Sequence, residues 1–265
     1  MIIEISSKSN PEYKKLKEVS RGNNDRLFIE GRKLFTEAVK SSIELEKVYV
    51  DKKNKSLLHS LLTNNSAPEI VFMKNDLIAS TFTTESKPEG DDLVVSVAKR
   101  PKWQLKNLFE RKQTLILLDR IQDSGNLGTI LRSSLAFALD GIILTKNSVD
   151  PFNTKVIRAS AGTVFNTPIV IIDNLKAFKA IVQEKEYRVI ATSSHANKKP
   201  NDLSSNLPCV FLFGNEGTGL SKDLLNLADE VIAIPHLQNV ESLNLGVAVS
   251  IVLWETYKDK LRIEN

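Results

Sequence analysis

Between Thr114 and Pro235 the chain carries six short runs of β-forming apolar residues: LILLD, GIILT, IVIID, YRVIATS, VFLFG and EVIAIP. They are nearly continuous rather than alternating, which is the signature of a strand buried on both faces. Helical patterns separate most of them, and a further one, ESLNLGVAVSIVLWETYK, closes the region. Strands that need cover on both sides, alternating with helices, read as a parallel sheet between two helical layers. Ligand sites in such a sheet belong in the loops at the carboxyl ends of its strands.

At 265 residues the chain has room for two domains. Residues 1–97 read as a smaller α/β domain. Asn10-Pro11 signals a helix start before EYKKLKEVS. LFIEG, KVYVD, EIVFM and LVVSVAK read as strands, and RKLFTEAVKSS and KSLLHSLLTN as helices. Residues 98–112, AKRPKWQLKNLFERK, hold six basic residues against one acid and read as a linker. Residues 113–265 form the second α/β unit.

Composition sets limits. Thirty-six Lys and Arg stand against 32 Asp and Glu, a formal charge of +4, which permits an anionic partner without requiring one. One cysteine excludes an internal disulfide framework, and with only three histidines no metal site is expected. Cys209 sits in the apolar run PCVFLFG and reads as an inert buried thiol. No stretch reaches the roughly 18 apolar residues of a membrane helix, and the N-terminus lacks a signal-peptide pattern. A soluble, cytoplasmic protein is expected, with no membrane partner.

Three polar loops follow strands of the second unit: DRIQDSGNLGTILR, FGNEGTGLS and IPHLQNVESLN. The first opens a helix, yet G-N-L-G is not the dinucleotide fingerprint. Asn126 there is either a helix cap or a site residue, and Arg132 either a surface charge or a site residue. The second loop packs three glycines into six positions, which implies unusual backbone angles or a close approach. Its Glu216 is either a functional carboxylate or the cap of the next helix. In the third, Ser242 and Asn244 crowd one helix start, where a single cap would suffice.

The set N-x-G-x-x-x-R, G-x-E-G-x-G-L and I-P-x-x-x-x-x-E-S-L-N resembles the SpoU (TrmH-like) family of RNA ribose 2′-O-methyltransferases, in the SPOUT superfamily. KVIRASAGTVFNTPIV, with Arg158, Ser160, Gly162 and Pro168, is also similar to the family. The resemblance spans about Leu115 to Trp254 and implies a parallel-sheet domain with a deep trefoil knot. Residues 1–97 look like the family's substrate-binding domain, which is similar to small kink-turn-binding ribosomal proteins. By motif position, the resemblance makes Asn126, Arg132, Glu216, Ser242 and Asn244 the catalytic set. It implies S-adenosylmethionine as cofactor, held by Gly214, Ile234 and Leu243 with Thr192 or Ser193 nearby and His236 beside them. His236 stands where the family usually has Met, and Gln238 where it usually has Gly.

The implied reaction is attack of a ribose 2′-hydroxyl on a sulfonium methyl, which needs alignment and no metal. The family's usual account makes Arg132 the general base. A guanidinium is effectively always protonated, so either its surroundings perturb it strongly or it clamps a phosphate bidentately. The resemblance further implies a homodimer with RNA, most readily ribosomal RNA, bound across both subunits. Arg21, Arg26, Arg32, Lys33 and Arg158 are the candidate RNA contacts, and basic clusters of this kind make binding salt-sensitive. Trp103 either stacks on a base or anchors the linker to a domain. Alternatives are a tRNA 2′-O-methyltransferase, a non-catalytic RNA-binding protein on the same fold, and a nucleotide-dependent oxidoreductase.

Overall fold

The computed structural model describes residues 3–22, 25–54, 58, 68–84, 88–194, 196–203, 208–237 and 239–258. The expected helix KSLLHSLLTN and Gln238 lie almost wholly or wholly outside these residues. The chain divides into two compact units, one of Met1–Pro101 with Phe152–Asn166, the other of Lys102–Pro151 with Thr167–Asn265. Among the described residues no helix is long and apolar enough to cross a membrane.

The first unit holds a mixed sheet ordered β1-β4-β3-β5-β2. Its strands are β1 (Ile3–Ile5), β2 (Arg26–Glu30), β3 (Leu45–Val50), β4 (Glu69–Met73) and β5 (Val94–Lys99). Side chains alternate across it as a pleated strand requires. Tyr49, Val71, Val95 and Val97 pack on one face with Tyr13 and Leu16 of α1 (Pro11–Ser20) and Leu77 and Ile78 of α3 (Asn75–Thr81). Val48, Val50, Phe72 and Val94 pack on the other with Phe35 of α2 (Arg32–Lys40). Asn10 caps α1, its Oδ1 accepting from the Glu12 amide at 2.8 Å, with Pro11 in the first turn. β1 is an addition to the strands read from sequence: three residues are too few to show a period, and it exists by pairing in parallel with β4.

The second unit holds a sheet ordered β11-β9-β10-β6-β7-β8, with every pairing parallel. These strands are β6 (Thr114–Leu118), β7 (Gly141–Thr145), β8 (Ile169–Ile172), β9 (Arg188–Thr192), β10 (Cys209–Phe213) and β11 (Glu230–Ile232). β6, β7 and β10 are buried at every residue. Leu115, Leu117, Ile143, Val189, Val210 and Leu212 form one core with Phe178 of α7 (Leu175–Glu184). Cys209 is buried.

Residues 98–112 are partly built into regular structure. β5 runs to Lys99, and α4 (Leu105–Leu108) follows. Leu108 and Phe109 are buried, and Trp103 packs against the second unit's core beside them, which favours the anchoring reading of that ring. Residues 152–166, with α6 (Thr154–Ala159), cluster with the first unit although they lie between β7 and β8 in sequence. Within that unit Arg158 Nη1 donates to buried Glu30 and, at 2.7 Å, to Thr83 Oγ1. Gly162 is there for a steric reason: its φ is +85°, and a Cβ would stand 2.9 Å from that of Glu37.

Candidate functional site

Because the second sheet is parallel, the loops after β6, β9, β10 and β11 leave it at one edge. They enclose a cleft of about 820 Å³, within the range of small-molecule sites. Each loop is shaped by its own polar residues.

After β6, Asp123 caps α5 (Ser124–Ala136), its Oδ1 accepting from the Asn126 amide at 2.6 Å. Asn126 is therefore not the cap, and its side chain turns to the cleft. After β11 the final helix α9 (Leu245–Tyr257) begins later than the sequence reading placed it, with Asn244 as its cap accepting from the Val247 amide at 3.3 Å. Ser242 lies in the preceding loop and lines the cleft. Asn244 is both cap and site residue, because its Nδ2 donates to Asn126 Oδ1 at 2.8 Å. Asn126 Nδ2 in turn donates to Glu216 Oε1 at 3.0 Å. Three side chains from three loops thus form one chain of hydrogen bonds. The Asn126 carboxamide has no freedom to flip within it, since its oxygen accepts and its nitrogen donates.

The glycine loop after β10 is a tight hairpin in which Asn215 and Gly219 exchange backbone hydrogen bonds of 3.1 and 2.9 Å. Asn215 Oδ1 accepts from the amides of Gly217 and Thr218 at 3.0 and 3.1 Å, an Asx turn. At Gly214 a Cβ would stand 2.2 Å from the Gly219 carbonyl carbon, so the close approach implied by the sequence is made by the loop itself. Gly219, at φ +66°, supplies the left-handed turn. Gly217 meets neither constraint. Glu216 caps no helix, since Ser221 holds that position before α8 (Lys222–Leu225).

Thr192, Gly214, Ile234, His236 and Leu243 all line the cleft, as do Asn126, Glu216, Ser242 and Asn244. His236 Nδ1 stands 2.8 Å from the Ile234 carbonyl. A carbonyl only accepts, so Nδ1 donates in this contact. Arg132 is not brought to the cleft. It is exposed on α5, six residues past Asn126, which turns it about 120° away around the helix axis. Among the described residues, the ionisable side chains lining the cleft are Glu216, Glu241 and His236, with no lysine or arginine.

Sequence reasoning passed over two neighbours of these loops. Asp119 is buried at the end of β6, and its Oδ2 accepts from the Ser221 amide at 3.0 Å and from Arg120 Nη2 at 3.1 Å. Arg120 adopts φ +55°, rare for a side chain of this size. The acid-base pair D-R opening the first loop was the available signal.

The candidate RNA contacts of the first unit separate into two groups. Arg26 is bound to Glu46 at 2.5 Å, Arg32 lies 3.6 Å from Asp91, and Arg158 serves Glu30. Arg21 and Lys33 are exposed.

With this geometry in hand, known proteins supply a comparison. The profile of the SpoU rRNA Methylase family matches residues 113–254. An uncharacterised tRNA/rRNA methyltransferase of Synechocystis is 30% identical over 98% of this chain and 95% of its own length. The 23S rRNA (guanosine(2553)-2′-O)-methyltransferase of Bacillus subtilis is 26% identical over 95% of this chain and 98% of its own. Among solved structures, an AdoMet-bound rRNA methyltransferase from Sinorhizobium meliloti superposes with a TM-score of 0.86 at 25% identity. That match covers 98% of this chain and 99% of the other.

Proposed function

From its membership of the SpoU rRNA methylase family, as an RNA methyltransferase whose methyl donor is S-adenosylmethionine, we propose that this chain methylates a ribose 2′-hydroxyl of ribosomal RNA. The observation that carries the reading is the hydrogen-bonded run Asn244–Asn126–Glu216 lining a cleft that bears carboxylates and, among the described residues, no lysine or arginine. Such a cleft suits a ligand of net positive charge and repels a bare pyrophosphate, which argues against the dinucleotide oxidoreductase. Its wall also offers apolar surface from Leu220, Ile232 and Leu245 for a flat ring.

When bound, S-adenosylmethionine supplies a methyl group on a cationic sulfonium. Thr192, Gly214, Ile234, His236 and Leu243 are the residues that would hold it. The Asn126 carboxamide, fixed at both ends, presents its remaining N–H to an incoming ribose. Glu216 accepts a hydrogen bond from the 2′-hydroxyl and takes its proton as the oxygen gains its methyl, while Ser242 steadies the ribose. Arg132 acts as a bidentate phosphate clamp. Its place away from the cleft fits a homodimer in which it serves a second copy. Exposed Leu135 on its own helix, with Val247 and Trp254 on α9, offers an apolar face for that contact. The deep trefoil knot belongs to the same reading. Arg21 and Lys33 are the proposed RNA contacts of the first unit.

The test is methyl transfer from labelled S-adenosylmethionine to RNA of a strain lacking the gene, size-separated and mapped for 2′-O-methyl positions. Label on one ribosomal RNA, lost in Glu216→Gln, is the expected result. Label confined to tRNA, or on a base, refutes the proposal as stated. For the dimer, sedimentation should show Trp254→Glu shifting the protein to monomer and abolishing transfer.

A further inference from the structure

The dipeptide Asp119-Arg120 does not line the cleft, yet every end of the glycine loop is tied to it. The Arg120 carbonyl accepts from Asn215 Nδ2 at 2.8 Å, directly before Glu216. Arg120 Nη2 donates to the Gly219 carbonyl at 3.2 Å, at the far side of the hairpin. Asp119 Oδ2 holds the Ser221 amide at 3.0 Å, where the loop ends. The dipeptide is itself pinned from β7: Thr145 Oγ1 donates to Asp119 Oδ1 at 3.0 Å and accepts from the Arg120 amide at 2.8 Å. The left-handed φ of Arg120 lets its amide, carbonyl and guanidinium serve three partners at once. Backbone strain of this kind persists where surrounding bonds over-determine it.

We infer that Arg120, with Asp119, is a positioning residue for methyl transfer: it sets where Glu216 stands relative to Asn126. The inference rests on the catalytic role of Glu216 proposed above. The distance to be kept is the 3.0 Å bond from Asn126 to Glu216, which links two different loops and is only as constant as the loop bearing the carboxylate. Because Arg120 does not line the cleft, its effect on the reaction runs through Glu216.

A double-mutant cycle separates this from mere stabilisation. Single-turnover methyl transfer at saturating S-adenosylmethionine and saturating ribosomal RNA would be measured for the native protein, Arg120→Met, Glu216→Gln and the double variant. Arg120→Met should slow transfer about 30-fold in the native background and less than about threefold beside Glu216→Gln, the order expected when a reacting group is misplaced by about 1 Å. Arg120→Lys, which keeps the charge opposite buried Asp119, should recover at least part of the rate, and it carries the same cycle if Arg120→Met fails to fold. An equal slowing in both backgrounds overturns the positioning role while leaving Glu216 catalytic. A native rate in Glu216→Gln alone refutes the catalytic reading first, and the inference with it.

Discussion

Glu216 and the carboxylates of the first unit are held in opposite ways. In the first unit carboxylates are matched to cations: Glu12 accepts from Lys47 at 2.6 Å and Tyr49 at 2.7 Å, Glu46 binds Arg26, and buried Glu30 binds Arg158. At the cleft of the second unit, Glu216 is held by two carboxamides, Asn126 and Asn215, and among the described residues makes no ion pair. A paired carboxylate is neutralised and serves the fold. A carboxylate oriented by neutral donors keeps its charge for something that arrives. The difference also follows from topology. Glu12 and Glu30 lie where strands and helices bring charged side chains together, as also happens in the parallel sheet where Glu230 of β11 binds Arg188 of β9, whereas Glu216 lies in a loop that leaves the parallel sheet at one edge, beyond the core.

Substitutions at the two carboxylates should therefore fail differently. The largest effect is expected from Glu216→Gln, with transfer slowed about 100-fold or more, as for loss of one group acting in a transition state, and a melting temperature close to native. A large fall in stability with transfer intact would break the comparison. Gly214→Ala should come next. No Cβ fits beside Gly219, so calorimetry should show cofactor affinity reduced at least about tenfold, consistent with the cost of overpacking.

Glu30→Gln should act on stability instead. Removing one partner of a buried pair costs about 3–5 kcal/mol, and the lower end applies because Arg158 retains access to water. Urea unfolding should show this loss, while the folded protein keeps its cofactor affinity. Acid sensitivity sharpens the same point. Burial works to raise the Glu12 carboxyl, but the Lys47 and Tyr49 hydrogen bonds and the Lys47 charge outweigh it and hold it below its ordinary value of 4.5. Its folded value being depressed, its stabilisation is present above 4.5 and is lost as pH falls through the folded value. Unfolding from pH 6 to 3 should show Glu12→Gln removing part of that slope.

The smallest effect belongs to Asp140. Burial raises its carboxyl, only partly offset by Arg111. A raised folded value makes the acid's contribution most favourable below its ordinary pKa, and that contribution is lost as pH rises through the folded value. Asp140→Asn should accordingly be slightly more stable than native at pH 7, with the advantage vanishing in acid. An advantage that grows in acid would refute this sign.

Much of the second unit was legible because its signals are local. The runs LILLD, GIILT and VFLFG are apolar at successive positions, and β6, β7 and β10 are the strands they form. The loop motifs were legible as well, since glycines, carboxamides and a carboxylate at fixed spacing betray a constrained turn. What escaped depended on partners distant in sequence. Ile3–Ile5 become a strand only against β4. Residues 152–166 join the first unit through bonds such as Arg158 to Glu30, 128 positions apart. Asp119 and Arg120 look like an ordinary charged pair until the hairpin 95 to 102 residues later is seen tied to them.

By itself, then, the sequence determined a parallel sheet with polar loops at its strand ends and the chemical types those loops carry, because burial period and turn chemistry are written in adjacent residues. Only the tertiary structure decided that Asn244, Asn126 and Glu216 share one run of hydrogen bonds while Arg132 turns away from it. Those relations depend on strand order and on the rotation of α5, and neither is encoded in any stretch short enough to read as a motif.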